Sequence, residues 1–322
     1  MSVKDLPIGM YGAVMGLAGL GLTARATATV LPGVLRAPAY FTELWVLLGV
    51  AAFAVLLPAY LVKLWKYPEV VRQEFLNPAQ LGFCGALPVG MSLVAGGIAP
   101  YSFFAGNILW WASAALLVAF QVWALYRWLS GGIELAQVNA GWLIIIVGGI
   151  VFPSSGVALG NAEASRFMFG VSAAAAPIIT ALLFVRAVLG PPLPEALRPS
   201  WFILLVPPSL VYANGLALYE GSLLLENLYF FALLLAAALL VYARGLARWP
   251  FGAPWWAFTF PLDALAYAAA RYAQDHPSPA AAALAGATLL VATLFVATVL
   301  AKQLYALLAA SRSAASRQRA AG

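Results

Sequence analysis

The chain has 322 residues, 64% of them hydrophobic and only 9% charged, with a mean hydropathy of +0.93. Soluble domains carry about 25% charged residues. No water-exposed fold could bury this much apolar surface, so the composition describes an all-α integral membrane protein. One cysteine, Cys84, and one histidine, His276, exclude an intramolecular disulfide and leave almost no material for a Cys/His metal site or a catalytic triad. No enzyme activity, cofactor or metal is expected. The net charge of +6 is read by its placement around a bilayer, not as a signal for nucleic acid.

A spanning helix needs roughly 20 mainly apolar residues. Ten candidates follow one another at about 7–25, 41–65, 80–98, 104–129, 141–160, 165–188, 201–218, 223–247, 255–273 and 279–308. Met1 to Pro7 is polar and leads straight into a span, so no cleaved signal peptide is expected. Short connections give a single transmembrane domain over 1–310. The small, basic tail 311–322 is expected to be disordered. Ten spans put both termini on one side, and of the 17 Lys and Arg only Arg25, Arg36, Arg166 and Arg271 fall on the other. The positive-inside rule then places both termini in the cytoplasm, and the expected location is the inner (plasma) membrane, multi-pass.

The spans alternate in character. The odd ones are rich in Gly and Pro: PIGMYGAVMGLAGLGL from Pro7, LGFCGALPVGMSLVAGG from Leu81, GWLIIIVGGIVFPSSGVALGN from Gly141, WFILLVPPSLVYANGLAL from Trp201, and WWAFTFPLDALAYAAARYAQ from Trp255. The even ones are Leu-, Val- and Ala-rich. Several end in aromatic–basic clusters, such as Tyr60, Lys63 and Trp65, which read as interfacial anchors with snorkelling cations. Trp255 and Trp256 read as interface markers in the same way. Breaks recur in the odd spans at Pro88, Pro153, Pro207/Pro208 and Pro261, with 54 residues from Pro153 to Pro207 and 54 again to Pro261. This spacing predicts five helical hairpins. Proline frees a carbonyl, and freed backbone survives at membrane depth only inside protein or along a wet cavity. The expected architecture is therefore an inner ring of five kinked helices around a central pathway, with an outer ring of five. The alternative is a solid bundle in which Gly and Pro serve close packing alone.

The last odd span carries the features on which the rest turns. Phe260 directly precedes Pro261, and Ala264, Ala266, Ala268, Ala269 and Ala270 follow. Small residues let neighbouring backbones approach, so the ring is either core packing or a plug in a narrow path. WWAFTFPLDALA, together with PIGMYG and WFILLVPPSLVYANGLAL, resembles the tellurite-resistance/dicarboxylate transporter family. That family includes the bacterial tellurite-resistance protein and the slow anion channel of plant guard cells. The resemblance covers about residues 6–305 and is most specific at Phe258 to Pro261. It implies a five-hairpin bundle around a narrow anion pore, assembled as a homotrimer with one pore per subunit. It also implies that Phe260 occludes the pore and that a glycine of the first helix, Gly12 or Gly16, passes close to the ring.

No Lys or Arg lies at the middle of an odd span, so anions would be drawn by partial charges at helix ends and loosened N–H groups. Thr259, Ser154, Ser155, Asn161, Ser209 and Asn214 offer further donors, each equally able to satisfy a neighbouring carbonyl. Asp263 is a carboxylate within a span, and such a residue is a functional hypothesis by default. It is protonated by burial, paired with Arg166 or Arg25, or the carrier of a coupled proton. Arg271 stands two turns further along, roughly 12 Å at 1.5 Å per residue, too far for contact. Arg25, Arg166 and Arg271 could draw anions to the far mouth, but Glu43, Glu163, Glu220, Glu226 and Asp275 share that side, and local bridges such as Glu163–Arg166 are the plainer reading. The expected function is an anion channel or passive anion permease for small inorganic or organic anions. The alternative is a proton-coupled transporter of C4-dicarboxylate, sulfite or related oxyanions.

Overall fold

The computed structural model describes residues 3–30, 39–219 and 223–321. Arg36 and Glu220, assigned above to the far side, lie outside the described residues. In chain order the helices are α1 (Gly12–Val30), α2 (Ala39–Lys66), α3 (Pro68–Leu76), α4 (Pro78–Leu81), α5 (Ala86–Ile98), α6 (Phe103–Leu129), α7 (Gly141–Val147), α8 (Pro153–Gly156), α9 (Ala162–Leu189), α10 (Val206–Leu218), α11 (Leu223–Tyr242), α12 (Thr259–Asp275) and α13 (Pro279–Ala321). No strand occurs among the described residues. The backbone of the basic tail continues α13 as helix to Ala321.

The prolines of the odd spans act differently from a simple kink. Each sits in the first turn of an α-helix that follows a 3-10 segment. Pro88 is near the start of α5 after Gly82–Gly85, and Pro153 opens α8 shortly after Gly148–Val151. Pro207 and Pro208 stand at the start of α10 after Glu195–Leu205, and Pro261 at the start of α12 after Ala253–Phe258. A first-turn residue has no intrahelical acceptor for its N–H, so proline is tolerated there at little cost. The break is thus a change of helix type. By contrast Pro58 and Pro177 lie inside α2 and α9, which stay continuous α-helices.

Among the described residues seven helices are long and apolar enough to cross a membrane, against the ten spans expected. The difference lies in three odd spans. Residues 7–25 become a 3-10 turn and α1, which is rich in Gly, Ala and Thr. Residues 141–160 form only the shorter apolar stretch Gly141–Gly156. The last odd span is α12, 17 residues with Asp263 and Arg271 within it. Burial separates two groups. Pro78–Ile98 and Glu195–Leu218 are 83% and 78% buried over their most apolar windows, whereas Leu225–Arg248 is 17% buried. The buried segments are those interrupted by Gly or Pro and by 3-10 turns, whereas the continuous Leu-, Val- and Ala-rich helices face outward.

Packing follows the same division. α1 packs on α5 and α12; α5 on α8 and the 148–151 turn; these on α10; and α10 on α12. Each exposed helix packs on the buried helix that precedes it, α2 on α1, α6 on α5, α9 on α7, α11 on α10 and α13 on α12.

Candidate functional site: two cavities that meet at Phe260

Two cavities lie among the buried helices. The wider, of about 440 Å³, is lined along α1 and its lead-in by Gly9, Gly12 and Met15, and at its end by Glu74, Asn77 and Gln80. The narrower, of about 240 Å³, is lined further along α1 by Gly19, Leu22, Thr23 and Arg25. The same order holds on every buried segment. Val89 faces the wider cavity and Leu93 the narrower; Val147 the wider and Ser154 the narrower; Val206 the wider and Leu210 the narrower; Ala257 the wider and Ala264 the narrower. Among the described residues only Phe260 and Val151 line both.

Phe260 is 6% exposed, and its seat is made by two matching helix faces. On α1, Gly12, Gly16 and Gly19 follow at steps of four and three and so share one face. Trp256, Thr259, Phe260 and Asp263 face them. A methyl placed on Gly12 would stand 3.2 Å from Trp256 Cβ, one on Gly16 2.5 Å from Thr259 Cβ, and one on Gly19 2.8 Å from Phe260 Cδ2. The glycine against the ring is thus Gly19; Gly12 and Gly16 admit Trp256 and Thr259 instead. Thr259 Oγ1 donates to the Trp256 carbonyl at 2.8 Å, which takes up a backbone acceptor just ahead of Pro261. Pro207 and Pro261 line the wider cavity. Pro88, Pro153 and Pro208 are buried and line neither.

Asp263 is 1% exposed. Neither carboxyl oxygen has a hydrogen-bond partner among the described residues, while its main-chain carbonyl accepts from Thr23 Oγ1 at 3.3 Å. Neither Arg166 nor Arg25, the two arginines considered for it, is its partner. Arg25 pairs with Glu43 and donates to the Gly97 carbonyl at 3.0 Å. Arg166 pairs with Glu163, and Arg271 donates to Gln274. Tyr101, between α5 and α6, donates to Glu43 at 2.5 Å, and that carboxylate holds its phenol pKa above the ordinary value. Ser154 and Asn214 form a polar node in which Asn214 Nδ2 donates to the Ile150 carbonyl at 2.7 Å.

Two sets of expected anchors are buried. Lys63 is 1% and Tyr60 5% exposed, and only Trp65 of that cluster is open, at 79%. Lys63 does not snorkel because Glu74 of α3 meets it at 2.7 Å. Trp255 and Trp256 are buried too, with Lys302 of α13 4.2 Å over the Trp255 ring. Sequence reasoning missed Gly19, Val151 and Glu74 as lining residues. The four-and-three spacing of glycines on α1 was the signal available for Gly19.

Residues 5–304 match the profile of the SLAC1 family, described as voltage-dependent anion channel. The chain belongs to that family. It is 28% identical over 274 residues to the S-type anion channel SLAH3 of Arabidopsis thaliana, covering 83% of this chain and 43% of that one. It is 25% identical over 294 residues to the guard cell S-type anion channel SLAC1 of the same plant, covering 87% and 52%. With an uncharacterised transporter of Methanocaldococcus jannaschii it shares 26% over 287 residues, 81% and 82% of the two chains. The chain spans about half the length of the plant relatives it matches.

Proposed function

We propose that this protein passes small anions across the membrane through the two cavities, and that the Phe260 ring closes the path between them. The observation that carries the reading is that the cavities meet at Phe260 and Val151. Five buried segments line both in the same chain direction, which supports an inner ring of five helices, each backed by the helix that follows it. Ten crossings then put both termini on one face, the cytoplasmic one by the distribution of Lys and Arg, in the inner membrane. A mostly apolar path whose one wall cation among the described residues, Arg25, is paired with Glu43 binds anions weakly and favours those that dehydrate easily. Relatives named as anion channels support the same class. Assembly as a homotrimer rests on family resemblance and is read by the mass of the detergent-solubilised protein.

The test is anion current across bilayers holding purified protein, wild type against Phe260→Ala. A small wild-type current that grows in the variant, with reversal potentials that follow the anion gradient, supports the pore. Silence in both, with folded protein, overturns the gate.

The buried, unpartnered Asp263 carboxyl beside Gly19 and Phe260 favours one second reading, a proton-coupled transporter of C4-dicarboxylate, sulfite or related oxyanions. That reading requires flux driven by a pH gradient, and its loss in Asp263→Asn.

A further inference from the structure

Glu74 is the one charged side chain on the wall of the wider cavity among the described residues. A lone carboxylate there would repel an approaching anion. It is not alone. Its Oε1 accepts from Lys63 Nζ at 2.7 Å and its Oε2 from the Tyr60 hydroxyl at 2.6 Å. Lys63 Nζ also donates to the Leu6 carbonyl at 2.8 Å and lies 5.5 Å from the centre of the Tyr60 ring. The cluster joins the segment before α1 to α2 and α3. Burying an ammonium is expensive unless it is paired and hydrogen-bonded, and Lys63 at 1% exposure meets both conditions. An apolar pair would staple the same three segments without that expense. Lys63 also differs from the surface lysines in having its charge fixed one hydrogen bond behind a cavity wall.

We propose that the Lys63–Glu74 pair sets the charge selectivity of the wider cavity. Lys63 cancels the wall carboxylate, so that an anion passes the cavity end lined by Glu74, Asn77 and Gln80 without meeting net negative charge. Glu74 is the selectivity-determining wall group and Lys63 a positioning residue that acts through it. The inference rests on the pore reading above.

The test is made in a Phe260→Ala background, so that the pore reading is judged first by whether current flows at all. Reversal potentials are then measured under a KCl gradient, with Lys63→Met, Glu74→Gln and the exchanged pair Lys63→Glu/Glu74→Lys. Lys63→Met exposes an uncompensated carboxylate. It is expected to lower the chloride-to-potassium permeability ratio by about threefold or more at low salt, an effect that shrinks in 1 M salt where charges are screened over about 3 Å. Glu74→Gln is expected to raise the ratio. The exchanged pair keeps the bridge but puts an ammonium on the wall, and is expected to raise chloride conductance above the parent. If Lys63→Met does not fold, Glu74→Gln and the exchanged pair carry the decision. The inference is overturned if current flows and the folded variants all keep the parent's reversal potential and conductance, since a purely structural staple would alter only the yield and melting temperature.

Discussion

The two cavities around Phe260 are built on opposite plans. The wider is apolar over most of its wall and shows a carboxylate, Glu74, with its lysine behind. The narrower carries hydroxyls from Thr23 and Ser154 and shows a guanidinium, Arg25, whose partner Glu43 does not line it. Each end is near neutral, yet the sign facing the cavity is reversed. Pairs that look equivalent as counted charges are therefore not equivalent as walls. On the proposed pore reading, anions moving in the two directions meet different first encounters, and the current is expected to rectify.

The comparison breaks most completely if the boundary is removed. Phe260→Ala merges the cavities and is expected to raise anion current by at least about tenfold, equivalent to about 1.4 kcal/mol off the barrier. Planar-bilayer recording checks it, and an unchanged current would mean that the ring only packs. Next comes the seat of the ring. A methyl at Gly19 meets Phe260 at 2.8 Å, so Gly19→Ala should lower stability by about 1–3 kcal/mol and displace the ring, raising basal current. Gly16→Ala crowds Thr259 instead and should lower the melting temperature without opening the path. Equal currents in the two variants would disconnect the seat from conduction.

A smaller effect is expected at the narrower cavity. Arg25→Gln removes the facing cation and should cut anion conductance by about two- to threefold at low salt, less at high salt. A loss of rectification in that variant would tie the asymmetry to the wall charge. The smallest effect is assigned to Asp263→Asn, an isostere outside both cavity walls. Passive conduction should keep its chloride current and its indifference to a pH gradient. Proton-driven uptake in wild-type liposomes, lost in the variant, would replace the channel reading.

Much of the fold was legible because it follows from side-chain size. Glycine lets backbones meet and proline frees carbonyls that must be sheltered, so the Gly- and Pro-rich odd spans could be read as buried and the even ones as outward-facing. The sequence Phe258 to Pro261 marked the helix whose ring lines both cavities. Register was not legible. Choosing Gly19 over Gly12 or Gly16 requires the angle at which α1 crosses α12, and the 3-10 turn before each helix shifts that angle in a way no period in the sequence records. Lys63 was misjudged for a similar reason. A cation beside Tyr60 and Trp65 looks like a headgroup anchor until α3, which the short connection gave no reason to expect, folds back and brings Glu74 to it. The proline positions were legible, but their effect depended on what preceded them. The same residue is absorbed inside α9 at Pro177 and switches helix type at Pro261.

That Phe260 and Val151 alone, among the described residues, line both cavities has an electrical consequence. On the pore reading, with electrolyte filling both cavities, the membrane potential would fall mainly across that thin boundary instead of along the whole bilayer. One elementary charge crossing 100 mV exchanges about 2.3 kcal/mol, and on this reading an anion exchanges nearly all of it in a single step past one ring. An ion held in either cavity would then sense almost none of the applied voltage.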